Sequence, residues 1–242
     1  MRKYHPLILC LLLLGSLSLK AQYKLESSQI LADSRSWYDT KNGLNNSGIL
    51  NGEYLEVKRI STASHQFFVS EEWYPGQIYY RGQLFDSLYM TYDIDQDVLL
   101  IRHPTSFIYH NQAIKLIQPQ VKAFELRGSL FEYINESVGN KAPGFYEILS
   151  RGDNISLIAK RHKKTVIERT IEFEVDDFYY FNYEDTYHRI KRKGSILKVF
   201  KSKKSDIKSF ISKRNLKISP GNDADIIELM SYIDQQFIVQ PE

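Results

Sequence analysis

Asp93, Asp95 and Asp97 alternate in "TYDIDQDVLL". A strand directs alternate residues to one face, so an extended chain would gather three carboxylates there. Carboxylate oxygens are ligands for calcium, which makes these three the metal candidates. An EF-hand loop also needs Gly at its sixth position and Glu at its twelfth. Counted from Asp93, the sixth is not Gly and the twelfth is Pro104. A surface turn with Asp95 to Asp97 at its tip explains the same string, and no metal or other cofactor is expected.

Trp73, Tyr79, Tyr179 and Tyr183 could stack on sugar rings, but alternation sends neighbours such as Tyr79 and Tyr80 to opposite faces. Glu71 and Glu72 would likewise diverge on an extended chain, against their use as a paired acid and base. His103, His110, His162 and His188 are dispersed, with no HExxH pair, and no serine sits in a G-x-S-x-G elbow. "RGD" at 151 to 153 reads as a hairpin turn. No catalytic residue is assigned.

The strongest asymmetry is charge. From Arg189 to Lys217 there are 12 Lys or Arg residues and one acidic residue, Asp206. Lys191, Arg192, Lys193, Lys198, Lys201, Lys203 and Lys204 form the candidate patch. It suits an anionic envelope lipid, lipopolysaccharide, a glycan or an acidic protein. The competing reading is a solvated face balanced by carboxylates elsewhere in the fold.

The start of the chain bears on that choice. "MRKYHPLILCLLLLGSLSLKA" has a basic beginning, a short apolar run and a small residue at Ala21, the layout of a cleaved export signal. The run is too short to span a bilayer comfortably, and the mature chain has no transmembrane segment. Export makes nucleic acid a poor partner and points to the periplasm, the outer-membrane periphery or the exterior. Cys10, the one cysteine, leaves with the signal, so no disulfide is expected and stability must come from packing.

These candidates need elements to position them. From Tyr74 the rhythm has period two: "GQIYYRGQLFDSLYMTYDI" reads as two strands around Arg81-Gly82, then "DQDVLLIRH", "AIKLI", "VKAFEL" and "SLFEYI". "GFYEILSRGDNISLIAKR" is a hairpin centred on Gly152-Asp153. Further strands are expected in "TVIERTIEFEV", "DFYYFNY", "TYHRIK" and "SILKVF", with an earlier hairpin turning at Asn51-Gly52. Near residue 203 the period becomes helical: Ile207, Phe210 and Ile211 share one face, and Ile226, Leu229, Met230 and Ile233 another. The expected fold is mainly β, an antiparallel sheet folded into a sandwich, roll or partly open barrel, with two C-terminal α-helices. Its divisions are a signal peptide (1–21), a polar N-terminal segment with a first hairpin (22–60), a β domain (61–202) and a helical cap (203–242). Between Glu71 and Leu100, Trp73, Tyr89 and Tyr92 are expected to contribute to a core.

The stretch from Glu71 to Leu100 resembles a segment recurring in exported proteins of Bacteroidetes-type bacteria, through Trp73, Gly76, Gly82, Tyr92 and Asp93. "PGFYEILSRGDNISLIAKR" is similar to that group's second signature, carried by Gly144, Phe145, Leu149, Gly152 and Leu157. The resemblance covers roughly residues 65 to 235 and implies structural roles for these positions, with no activity attached.

Two functions are compatible with these features. The first is a non-enzymatic cell-envelope binding or scaffold protein. The alternative is a carbohydrate-binding or glycan-hydrolysing protein using exposed aromatics and dispersed carboxylates.

Overall fold

A computed structural model describes residues 48–57, 64–103, 112–167 and 169–238. The expected signal with Cys10, the polar segment to residue 47 and His110 lie outside them, as do the turns expected at Pro104 and Asn111. Among the described residues the chain is mainly β and the strands pair antiparallel throughout. They are β1 (Glu53–Glu56), β2 (Tyr74–Tyr80), β3 (Gln83–Asp93), β4 (Val98–Arg102), β5 (Gln112–Lys115), β6 (Val121–Leu126) and β7 (Ser129–Ile134). β8 (Gly144–Arg151), β9 (Ser156–Lys160), β10 (Lys163–Ile167), β11 (Ile171–Val175), β12 (Phe178–Tyr183) and β13 (Thr186–Ile190) follow. Eleven form one sheet in the order β1-β5-β4-β3-β2-β6-β7-β8-β9-β12-β13, while β10 and β11 make a separate hairpin. β1 and β13 are not paired with each other, so the sheet does not close into a barrel.

Turn chemistry sets the hairpins. Arg81-Gly82 and Arg127-Gly128 have positive φ at both residues, the backbone of a two-residue turn that matches strand twist. Glu184-Asp185 adopts the same left-handed angles without a glycine. Register shifts interrupt β2–β3, β2–β6 and β8–β9. In β3 the extra residue falls at Asp86-Ser87, opposite Gln77. Such bulges bend strands and increase local twist, so a wide sheet can curl over its own side chains.

The resulting core has two main parts. On the N-terminal half Tyr92 is fully buried, its ring 5.1–5.8 Å from those of Phe124, Phe131 and Phe145 in edge-on contacts. On the C-terminal half β9, β12 and β13 are covered by helices α1 (Lys193–Val199), α2 (Lys204–Arg214) and α3 (Asp223–Ile238). Ile207 and Ile211 of α2 and Ile226, Leu229, Met230 and Ile233 of α3 are buried there. Phe210 stacks on Tyr232 at 3.9 Å.

Three local expectations change. "SILKVF" is the helix α1 and its end instead of a strand, because burying Ile196, Leu197 and Phe200 together requires helical spacing. Asn51-Gly52 does not turn a hairpin: Gly48–Leu50 is a 3-10 turn and β1 pairs with the distant β5. Tyr89 is 52% exposed, so it is no part of the core, while Trp73 is half-buried against a small cluster containing Val57, Phe67 and Leu100.

Candidate functional site

The end of β3 and the short turn to β4 carry the three aspartates, and each has a different task. Asp93 Oδ1 accepts the backbone N–H groups of Asp95 and Gln96, both at 3.0 Å, and so shapes the turn. Asp95 accepts the Thr165 hydroxyl at 3.1 Å from β10. Asp97 reaches across to β8 and β9. It accepts Tyr92 O–H at 2.5 Å, Gln118 Nε2 at 2.7 Å and Lys160 Nζ at 2.6 Å. Lys160 also donates to the Phe145 carbonyl at 3.1 Å. Burial lowers the Lys160 pKa and Asp97 opposes that shift. Burial, then the Asp97 charge, raises that of Tyr92.

Gly144 makes this clasp sterically feasible. A methyl group there would overlap the Asp97 carboxylate and lie 2.6 Å from Lys160 Nζ. Beside the clasp a cleft of about 320 Å³ is walled by Glu53, Gln96, Val98, Lys115 and Gln118. Among the described residues, no group of three or more His, Cys, Asp or Glu is arranged to hold a metal ion.

Asp93 also gives the turn a pH response. Burial raises its pKa to about 6, partly opposed by the two N–H bonds it accepts. The folded state therefore binds a proton that the unfolded chain releases near pH 4. Stability from this group declines as pH rises through the window from about 4 to 6. Asp93→Asn keeps an acceptor for both N–H groups and cannot ionise. It is expected to match the wild type near pH 4 and exceed it by roughly 2–3 kcal/mol at pH 7. Urea denaturation at the two pH values checks this; an equal difference at both would reject the titration.

A second polar centre lies under the helices. Arg161, just beyond β9, donates Nε to Glu147, Nη1 to Asp177 at 2.8 Å and Nη2 to Asp223 at the start of α3. Nη1 also reaches the Tyr179 hydroxyl at 2.9 Å, and that hydroxyl donates to Asp223. Burial opposes the guanidinium charge, but Glu147 and Asp223 outweigh it and raise the pKa. For Asp223, burial acts upward and the Arg161 and Tyr179 hydrogen bonds prevail, holding the carboxyl below its usual range. Tyr179 is pushed up to about 12 by burial and by its bond to Asp223. Asp234, farther along α3, accepts Asp153 N at 2.9 Å and Asn154 N at 2.8 Å. A side chain at Gly152 would collide with that carboxylate. The Arg-Gly-Asp triplet is thus fastened at its base by α3, and Arg151 pairs with Glu132.

The aromatic candidates occupy three places. Trp73 lies in the outer cluster, and Tyr79 sits on β2 with Lys122 Nζ 5.3 Å from its ring centre. Tyr179 is fully buried, and Tyr183 packs against Phe200 at 5.1 Å, both on the helix-covered face. His188 stacks on Phe181 at 5.0 Å, and His162 lies 3.8 Å from Asp176. Glu147, Lys160, Arg161, Asp177 and Asp234 belong to no sequence motif. The available signal was alternation: Leu157 and Ala159 are core residues on one face of β9, and Arg161 continues it.

The basic tract is mostly at the surface. Lys191, Arg192, Lys193, Lys198, Lys201 and Lys204 are exposed and Lys203 is half-buried. Its far end meets acids of α3: Arg214 pairs with Glu228 at 3.0 Å, and Asp225 accepts Lys217 N at 2.7 Å. No ion pair joins the seven patch residues to a carboxylate among the described residues.

These features define a curled antiparallel β-sheet with a helical cap, two internal ionic centres and a basic corner. No protein-family model matches the chain, and no match was found among curated proteins or solved structures. Among the described residues, no helix is long and apolar enough to cross a membrane.

Proposed function

We propose that the protein is a non-enzymatic binding or scaffold protein exported to the cell envelope. The observation that supports this best is the division of its charge. The two internal ionic centres are paired within themselves, Asp97 with Lys160, Tyr92 and Gln118, and Arg161 with three carboxylates, while Asp93 is taken up by the N–H groups of its own turn. A general acid or nucleophile needs a group that faces substrate and changes state, whereas these act as fixed cross-braces. The basic residues of α1 and the start of α2 instead face solvent. The leader-like residues 1–21 and the resemblance of residues 65–235 to exported Bacteroidetes-type proteins support the compartment.

The test is a screen of the purified mature protein against envelope glycans with hydrolysis monitored. No turnover is expected. Turnover abolished by a single carboxylate substitution would overturn the proposal in favour of a glycan hydrolase.

A further inference from the structure

We propose that α1, the turn after it and the first turns of α2 form an electrostatic docking surface for an anionic bilayer leaflet, with lipid phosphates as the recognised groups. This rests on the binding-protein reading above and assigns it a surface and a partner.

Eight cations lie between Lys191 and Lys208, with Asp206 the one acid among them. Seven are exposed and Lys203 is half-buried. α1 and α2 have 7 and 11 residues, so at about 1.5 Å per residue their lengths are roughly 10 and 16 Å. Residues three or four apart on a helix are about 5–6 Å apart at Cβ, inside the ~8 Å screening distance at physiological ionic strength, so successive cations such as Lys204 and Lys208 present a joint field. Glu228 of α3 pairs with Arg214 at the opposite end of α2, and Asp225 holds the backbone N–H of Lys217 beyond it, while the Lys191 to Lys208 end has no ion pair among the described residues.

The apolar side chains of this corner face inward. Ile196, Leu197, Phe200, Ile207 and Ile211 are buried, and the half-buried Phe210 is stacked on Tyr232. The exposed large hydrophobic residues, including Tyr54, Tyr89 and Ile167, belong to the β portion. Energetic centres of protein interfaces are commonly aromatic anchors set in pockets, and single-stranded nucleic acid is held by stacking on aromatics. The corner offers neither. It offers ammonium groups interspersed with the exposed hydroxyls of Ser202, Ser205 and Ser209, which can donate to phosphate oxygens. A leaflet of closely spaced phosphates asks for no more than this, and polybasic clusters of four to eight residues suffice for attraction. With no exposed apolar wedge, the contact is peripheral and reversible by salt.

Vesicle sedimentation tests the assignment, using phosphatidylcholine alone or mixed with phosphatidylglycerol, at low and high salt. The protein is expected to sediment with mixed vesicles at low salt and to be released at high salt. Lys201→Gln/Lys203→Gln/Lys204→Gln should reduce partitioning by roughly fivefold per lysine, about a hundredfold in all. Lys191→Gln/Lys193→Gln/Lys198→Gln should act similarly, and both variants should keep the wild-type denaturation midpoint. Equal sedimentation with both vesicle types, salt-insensitive binding, or unchanged binding by both variants would overturn the proposal. So would stronger binding to duplex DNA at equal phosphate concentration, or salt-sensitive self-association without lipid binding. Those failures leave the non-enzymatic reading standing, because that reading is decided by the glycan assay.

Discussion

Methionine in place of Arg161 is expected to lower the free energy of unfolding by about 3–5 kcal/mol at pH 7, the cost of breaking a buried ion pair from one side. The guanidinium is the shared donor for Glu147 and Asp177, whose side chains are 9% and 10% exposed, and for Asp223 on α3. Removing it strands carboxylates that water reaches poorly, and it frees the start of α3 from β9. Asp223, held low by Arg161, contributes stability that is present above the unfolded carboxyl pKa and lost as pH falls through the folded one. The penalty of Arg161→Met should therefore shrink toward pH 4, where stranded carboxyls take up protons. Adding Glu147→Gln should recover part of it at pH 7. Denaturation curves of the three proteins at both pH values provide the measurement. A pH-independent loss below 1 kcal/mol would show that the centre is solvated and does not brace the cap.

The Asp97 clasp, whose Lys160 adjoins Arg161 at the end of β9, should behave as one unit. Asp97→Ala is expected to cost about 3–5 kcal/mol, because Lys160, whose side chain is 10% exposed, loses its counter-charge and the Tyr92 hydroxyl its acceptor. Gly144→Ala alone should cost about 1–3 kcal/mol, since the added methyl overlaps Asp97 and crowds Lys160. The two losses should not add. Once the carboxylate is gone, the methyl meets less obstruction, and the double variant should be more stable than the sum predicts by 0.5 kcal/mol or more. Gly82→Ala provides a contrast: its added carbon meets no atom within 4 Å, but φ is +82°, so its cost comes from backbone conformation alone. It should add normally to Asp97→Ala. Urea denaturation of the singles and doubles gives both coupling energies, and equal coupling for the two glycines would remove the steric account of Gly144.

The repeating local choices are written into neighbouring residues. "VKAFEL" and "SLFEYI" coincide with β6 and β7, and the Arg-Gly pair at 81-82 makes its turn. Ile207, Ile211 and the Ile226 to Ile233 face are buried on the two long helices. The charge of the 189–217 tract was equally plain, because it needs no partner to be counted. Each of these depends on residues a few positions apart, where backbone periodicity and turn conformation dominate.

Which charges meet is set by long-range packing. Asp97 and Lys160 are 63 residues apart, and Arg161 and Asp223 are 62 apart. Their encounters depend on β2 lying between β3 and β6, and on the start of α3 docking beside the residue that follows β9. Alternation can place a side chain on a face, but it does not identify the strand or helix opposite. The same limit explains "SILKVF", whose apolar run suits a strand until docking selects a helix. It also explains Gly144 and Gly152, which are needed because carboxylates from distant segments occupy the space a side chain would take.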